Sequence, residues 1–334
     1  GLVAERWTLP PVTGSARLDG AAFQADLSVA QWGTRLSMRG RQGAAGLSGT
    51  LQGRSPLVPA MSRGLPLTTR AGQLVADGRW QWRDAFQIDG TLRGEGLSLD
   101  WGSIQARGLD ADLALDWHQG RAPRLRSREP LTLANLDVGV PVTEIRMGVE
   151  TDLDQWRFER ISAQVLGGEV RAPRLLWPST EWQPVVLTGI ELNQLAALQN
   201  EAVVSLTGEV GGYIPLRLTR DSVAVRDGRL ANETPLSLAL LPAAGTRAMA
   251  ESNRAVSIAL EALNPLRVER FSAQVDMAAD GWLDAAVHIR GTNPQRNGLP
   301  VVFNYTHKEN VLELLRSLRI GERITDRVMT ETRP

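Results

Sequence analysis

The residues able to do chemistry are few and poorly placed for it. Three histidines, His118, His288 and His307, share no metal-ligand spacing, and the chain has no cysteine. Disulfides and thiolate metal sites are therefore ruled out. No H-E-x-x-H, phosphate-binding G-x-x-x-x-G-K-[ST] or nucleophile-elbow G-x-S-x-G stretch occurs, and Gly94 and Gly96 make a G-x-G without a third glycine. The acidic group Asp110, Asp112 and Asp116 is the one constellation that could work as paired carboxylates, as in a glycosidase. Its spacing puts all three on one side of a strand, with Leu109, Ala111, Leu113, Leu115 and Trp117 on the other. That describes a solvated sheet face before it describes an active site. The sequence thus points to no catalytic residue, no metal and no cofactor.

The bulk composition narrows the classes further. With 37 basic and 37 acidic residues the formal net charge is +0, against a nucleic-acid binder. No run approaches the roughly 18–20 apolar residues that cross a bilayer as a helix. The opening GLVAERW lacks an initiator Met and any signal-peptide pattern, so the chain reads as an internal or C-terminal piece of something longer.

What remains is alternation. Phe23, Ala25, Leu27 and Val29 share one parity; so do Leu74, Ala76, Gly78, Trp80 and Trp82, and later Leu283, Ala285, Val287 and Ile289. Period-two patterning over such lengths marks half-buried strands. One heptapeptide occurs almost twice, ERISAQV at Glu159–Val165 and ERFSAQV at Glu269–Val275, with no reactive residue in either copy. Asp-Gly pairs at Asp19, Asp77, Asp89, Asp227 and Asp280 read as hairpin turns between the runs. The expectation is a mainly β fold: an elongated, curled antiparallel sheet with few short helices. Helices are expected near 193–200 and 247–263. A C-terminal amphipathic helix is expected to start at a Thr306/Glu309 capping box, with Val311, Leu314, Leu315 and Leu318 as its stripe. Residues 1–305 are expected to form a single elongated β region, and 306–334 the helix and tail.

A sheet apolar on one face must have that face covered. Two faces can cover each other, as in a structural sandwich, or the sheet can curl into a trough that holds a long apolar ligand. The candidate lining is Leu113, Leu115, Trp117, Ile161 and Val165, then Leu206, Val210, Ile214, Leu216 and Leu218, then Phe271, Val275, Val287 and Ile289. Parity says which residues share a face, and leaves open whether that face lines a groove or packs against another sheet. A carbohydrate-active enzyme and a membrane β-barrel are the rival classes; the barrel is disfavoured by only two Tyr and five Phe for its aromatic girdles.

From Gly208 onward specific blocks emerge. GEVGGYIPLRLTRDSVAVRDGRLANETP and the GTNP and LPVVFNYTHKENVLELLRSL segments resemble the C-terminal region of the YdbH family, among the AsmA-like proteins. The resemblance implies a β-taco groove in the periplasm of a Gram-negative bacterium and an inner-membrane anchor outside this chain. It implies phospholipid passage toward the outer membrane. It also implies a small outer-membrane lipoprotein of the YnbE type that adds strands at the C-terminal edge. Unpaired N–H and C=O groups suit such an edge to strand addition. Leu299, Val301, Val302, Phe303 and Tyr305 are the candidate edge residues.

Overall fold

The computed structural model describes residues 10–44, 46–62, 67–102, 104–197, 204–240 and 264–314. The chain divides into two compact units, Gly1–Val138 with Val142–Ile161, and Gly139–Pro141 with Ser162–Pro334. Both are built from antiparallel strands, as the alternation requires.

In the first unit, β1 (Thr13–Asp19), β2 (Ala22–Val29), β3 (Thr34–Gly43), β4 (Gly46–Pro56), β5 (Leu67–Trp82), β6 (Phe86–Trp101) and β7 (Ile104–His118) form a meander. Each pairs with the next. Two short strands, β8 (Arg124–Ser127) and β9 (Leu131–Asp137), then share one side of β7. Both also pair with β10 (Pro141–Thr151). The next strand, β11 (Trp156–Val165), contributes Trp156–Ile161 to this unit.

Register turns the alternation into rows that cross the strands. One row runs Ala16, Ala25, Met38, Leu51, Gly78, Gly90, Leu115, Leu125. A second runs Leu27, Leu36, Gly53, Ala76, Leu92, Leu113. A third runs Phe23, Gly40, Gly49, Trp80, Ile88, Trp117. Its two glycines leave a trench that the Trp80 ring fills. Trp80 is 3% exposed, and its indole N–H donates to the Thr50 carbonyl at 3.0 Å. Phe23 meets that ring edge-on at 5.4 Å between centroids, Phe86 stacks on it at 6.0 Å, and Trp117 meets Phe86 at 6.0 Å. Offset and edge-on geometries of this kind add to simple burial.

The second unit comprises β12 (Gly168–Trp177), β13 (Gln183–Glu191), the short helix α1 (Leu192–Ala197), β14 (Val204–Thr207), β15 (Glu209–Leu218), β16 (Val223–Asn232), β17 (Leu236–Leu240), β18 (Leu266–Met277), β19 (Trp282–Asn293) and β20 (Leu299–Asn310). Pairing runs β12–β13–β15–β16–β18–β19–β20, with β14 against β17. The arrangement around β7 recurs here: β17 and β16 take successive stretches of β18. Val170, Leu187, Gly212, Leu230, Ala273, Val287 and Tyr305 form one row across all seven strands. At the standard strand spacing of about 4.8 Å that row is on the order of 29 Å long.

The duplicated heptapeptide marks bulges. On β11 the Arg of ERISAQV, Arg160, has φ of 51°, and the apolar parity switches there from Trp156 and Phe158 to Ile161, Ala163 and Val165. On β18 the register shifts between Val268 and Arg270, so Glu269 is the extra residue. Parity switches again, from buried Leu266 and Val268 to Phe271, Ala273 and Val275. An extra residue in one strand re-aims every side chain beyond it.

Several sequence expectations fail for definite reasons. Asp19-Gly20 and Asp280-Gly281 do make turns, with Gly20 and Gly281 at φ of 56° and 92°. Asp77-Gly78 and Asp89-Gly90 instead lie inside β5 and β6, where Gly78 faces Gly90. A Cβ on Gly90 would stand 2.4 Å from the Asp77 carbonyl oxygen, so these glycines serve close backbone approach rather than turning. Asp227 is a third case, a positive-φ residue at 53° inside β16, where the register shifts between Val225 and Gly228. The Thr306/Glu309 capping box is also overturned. Both residues belong to β20, which pairs with β19 as far as Asn310. Asn310 is the cap: its Oδ1 accepts from the Glu313 N–H at 3.0 Å, and residues 311–314 are helical. Leu315, Leu318 and the remainder of the expected C-terminal helix, all of 247–263 and residues 198–200 lie outside the described residues.

Candidate functional site

The candidate site is the apolar parity of each unit. In the first, Leu113, Leu115 and Trp117 sit half-buried along β7, one in each of the three rows, and Ile161 is half-buried on β11. In the second, Val210, Val275, Val287 and Ile289 are buried at 6–8% exposure and belong to one apolar cluster. Val165, Leu206 and Phe271 pack against that cluster. Ile214, Leu216 and Leu218 continue the same parity along β15, half-buried. The half-burial is the informative state, since these positions are neither sealed like Leu266, at 1% exposure, nor free in solvent.

The edge candidates divide by parity. Val301, Phe303 and Tyr305 lie beside Gly291, Ile289 and Val287, on the apolar side, with Leu299 in phase; Val302 faces the other way, beside Arg290. Leu299, Val302, Phe303 and Tyr305 are 44%, 63%, 38% and 43% exposed. Phe303 and Tyr305 stack at 5.6 Å, and His307 continues the stripe. Among the described residues β20 pairs only with β19, and β1 only with β2.

The opposite parity is polar, and its three β7 carboxylates are partnered. Asp112 lies between Arg93 at 3.6 Å and Arg128 at 3.5 Å, Asp110 accepts from the Gly96 N–H at 2.7 Å, and Asp116 lies 3.2 Å from His118. The three carboxylates therefore hold separate partners and do not converge. A cleft of about 680 Å³ on this side of the first unit is walled by Asp26, Ser28, Arg35, Gln52, Arg54 and Asp77. Hydrogen bonds from Gln24 and Ser37 hold the Asp26 carboxyl below its ordinary value. At the far strand ends Asp100 meets Arg70 at 2.6 Å and Arg107 at 2.6 Å. Burial alone would raise the Asp100 carboxyl, but the two guanidiniums outweigh it and bring it below the usual range. The Arg107 contact is close but badly angled, leaving Asp100 Oδ1 without a hydrogen bond.

Tryptophans gather at strand ends, a feature that period-two alternation does not reveal. Trp82 closes β5 and Trp117 nearly closes β7; Trp177 closes β12, Trp182 precedes β13 and Trp282 opens β19.

The sequence that builds these rows matches a known family. The YdbH-like family model, described as intermembrane phospholipid transport protein YdbH, aligns with residues 1–333. The chain belongs to the YdbH-like family. It is 28% identical over 341 residues to a probable phospholipid transport protein YdbH of Escherichia coli K12, covering 95% of this chain and 38% of that protein. The chain thus spans well under half the length of that relative. No solved structure matches. The blocks that carry the YdbH resemblance have evident structural work. GTNP closes β19 at Asn293, 0% exposed, whose Oδ1 accepts from the Gln295 N–H at 2.9 Å and fixes the turn into β20. FNYTHKEN is β20 itself from Phe303 onward. No helix among the described residues is long and apolar enough to cross a membrane.

Proposed function

We propose that this YdbH-like chain is a periplasmic segment of a non-enzymatic protein that conducts phospholipids from the inner to the outer membrane along its apolar face. The observation that carries the reading is the set of apolar rows in continuous register, half-buried across many strands, in a chain of a family named for phospholipid transport. Such a face answers a physical need. Exposing one acyl chain of about 16 carbons to water costs roughly 12 kcal/mol, so lipid traffic between membranes requires a shielded path. A wall of aliphatic residues holds a chain with similar energy at every position, which keeps the barriers to movement low.

The proposal extends to an anchor in the inner membrane outside this chain, and to a small outer-membrane lipoprotein of the YnbE type pairing with β20. The exposed, apolar-sided edge of β20 supports strand addition there. A dry structural core is the competing reading, and Leu266 and Val268, at 1% and 2% exposure, favour it locally.

The test is charge placed on the half-buried rows. Leu113→Glu, Leu115→Arg and Leu216→Glu, introduced together into the full-length protein, should abolish phospholipid transport and remove co-purifying lipid in native mass spectrometry. Transport at the unmodified rate would sink the reading.

A further inference from the structure

Three strands of the second unit bring two cations onto one ring. Trp182 immediately precedes β13, Arg217 is on β15 and Arg226 is on β16. The Arg217 and Arg226 guanidinium carbons lie 4.7 and 4.6 Å from the Trp182 ring centroid. Register explains the meeting: Gln183 faces Leu216, so Trp182 falls opposite Arg217, which in turn faces Ala224.

The cluster is not electrically complete. Two like charges share one indole, and neither has a carboxylate ion-pair partner among the described residues. Cation–π attraction favours each arginine singly but does nothing to relieve their mutual repulsion. In addition the Arg217 Nε is buried with no hydrogen-bond partner among the described residues. Buried donors are nearly always satisfied, so an unsatisfied one calls for an explanation. An anion held by both guanidiniums would offset the repulsion. Planar arginine forks match the oxygens of a phosphate, and do so better than lysines.

Position says which phosphate. Arg217, one residue before the end of β15, points away from the face of Leu216 and Leu218, so the cluster sits on the polar side at the strand ends, where Trp177 also lies. The Trp177 indole N–H donates to the Thr219 carbonyl at 2.8 Å and fixes the adjoining turn. Tryptophan beside cations at the limit of an apolar surface is the chemistry of a lipid headgroup zone. We propose that Trp182, Arg217 and Arg226 form a phosphate-binding site on the polar side of the strand ends, which takes the phosphodiester of a glycerophospholipid whose acyl chains turn over those ends onto the apolar face. The choice of a lipid source rests on the transport reading; the phosphate chemistry does not.

The test titrates the purified chain by calorimetry with dihexanoyl phosphatidylglycerol below its micelle concentration, and separately with glycerol 3-phosphate. The wild type should bind the lipid, and R217Q/R226Q should bind it at least tenfold more weakly. R54Q, in the first unit, should match the wild type, and R217K/R226K should fall between. The exposed single variant R226Q serves if the double variant fails to melt cooperatively. Binding of glycerol 3-phosphate alone would overturn the lipid assignment, and no binding of either probe, or unchanged binding by R226Q and the double variant, would overturn the site. Because this readout is binding to the isolated chain, it stands or falls separately from the transport assay on the charged rows.

Discussion

The Trp80 ring lies against Gly40 so closely that a Cβ on that glycine would stand 2.7 Å from Trp80 Cζ2. The contact joins β5 to β3 across β4, and it exists because Gly40 and Gly49 leave the third apolar row without side chains at that place.

Emptying this place or crowding its glycines should therefore cost stability. Trp80→Ala is expected to lose about 3–5 kcal/mol, the range for emptying an aromatic site. Gly49→Ala should also destabilise, by about 1–3 kcal/mol or more, because its Cβ would meet the Arg39 carbonyl oxygen at 1.9 Å. Urea unfolding of both variants, followed by tryptophan fluorescence, measures the losses; a neutral Gly49→Ala would contradict the account.

The bulge in the second heptapeptide separates spacing from chemistry. Glu269→Ala keeps the extra residue and, on an exposed side chain, should change stability by no more than about 0.5 kcal/mol. Deleting Glu269 removes the bulge and the phase slip together, so Leu266, Val268, Phe271, Ala273 and Val275 alternate simply and the second unit should still fold, losing only the hydrogen bond from Asn232 to the Glu269 carbonyl. Hydrogen exchange over β18 and β19 checks both, with protection retained in each variant on either side of the bulge; global loss of protection in the deletion would contradict the account.

Asp100 makes a pH-dependent contribution. Its folded carboxyl titrates below the ordinary value of 3.8, so in the interval between the two values the unfolded chain binds more protons. The stabilisation is complete above 3.8 and drains away as pH falls through the lower, folded value. Asp100→Asn should cost about 1 kcal/mol at neutral pH, a modest figure because Arg70 is half in solvent, and the gap to wild type should close in strong acid. Thermal melts at neutral and acidic pH decide it.

The proposed strand addition at β20 gives a fourth outcome. Phe303→Lys with Tyr305→Lys leaves the β19 pairing in place but charges the open edge, a device that natural sheets use against unwanted partners. Capture of a YnbE-type lipoprotein from detergent extracts should fall to background while the melting temperature stays near wild type. Undiminished capture would place the partner elsewhere.

How much of this was legible beforehand depended on the kind of signal. Period-two runs such as Leu109 to Trp117 announced both the strand and its two faces, because burial on one side of a sheet writes itself directly into composition. Turn signals were less reliable. Asp19-Gly20 turns the chain and Asp77-Gly78 does not, since glycine serves close strand approach as well as positive φ, and a dipeptide does not say which. At the C-terminus, Thr306 and Glu309 satisfied a local capping rule but were claimed by the β19 ladder, a tertiary effect that local rules do not weigh. The bulges were visible in principle: Leu266 and Val268 fall out of phase with Phe271, and that slip was the available sign. The cluster of Trp182, Arg217 and Arg226 had no such sign, because only the strand register brings it together.

The forked strands β7 and β18, each faced by two short strands in line, bear on how such a protein changes over evolution. A plain meander grows only by whole hairpins added at its ends. A fork provides a junction in mid-wall where a new segment can branch off and return, leaving the neighbouring ladders undisturbed.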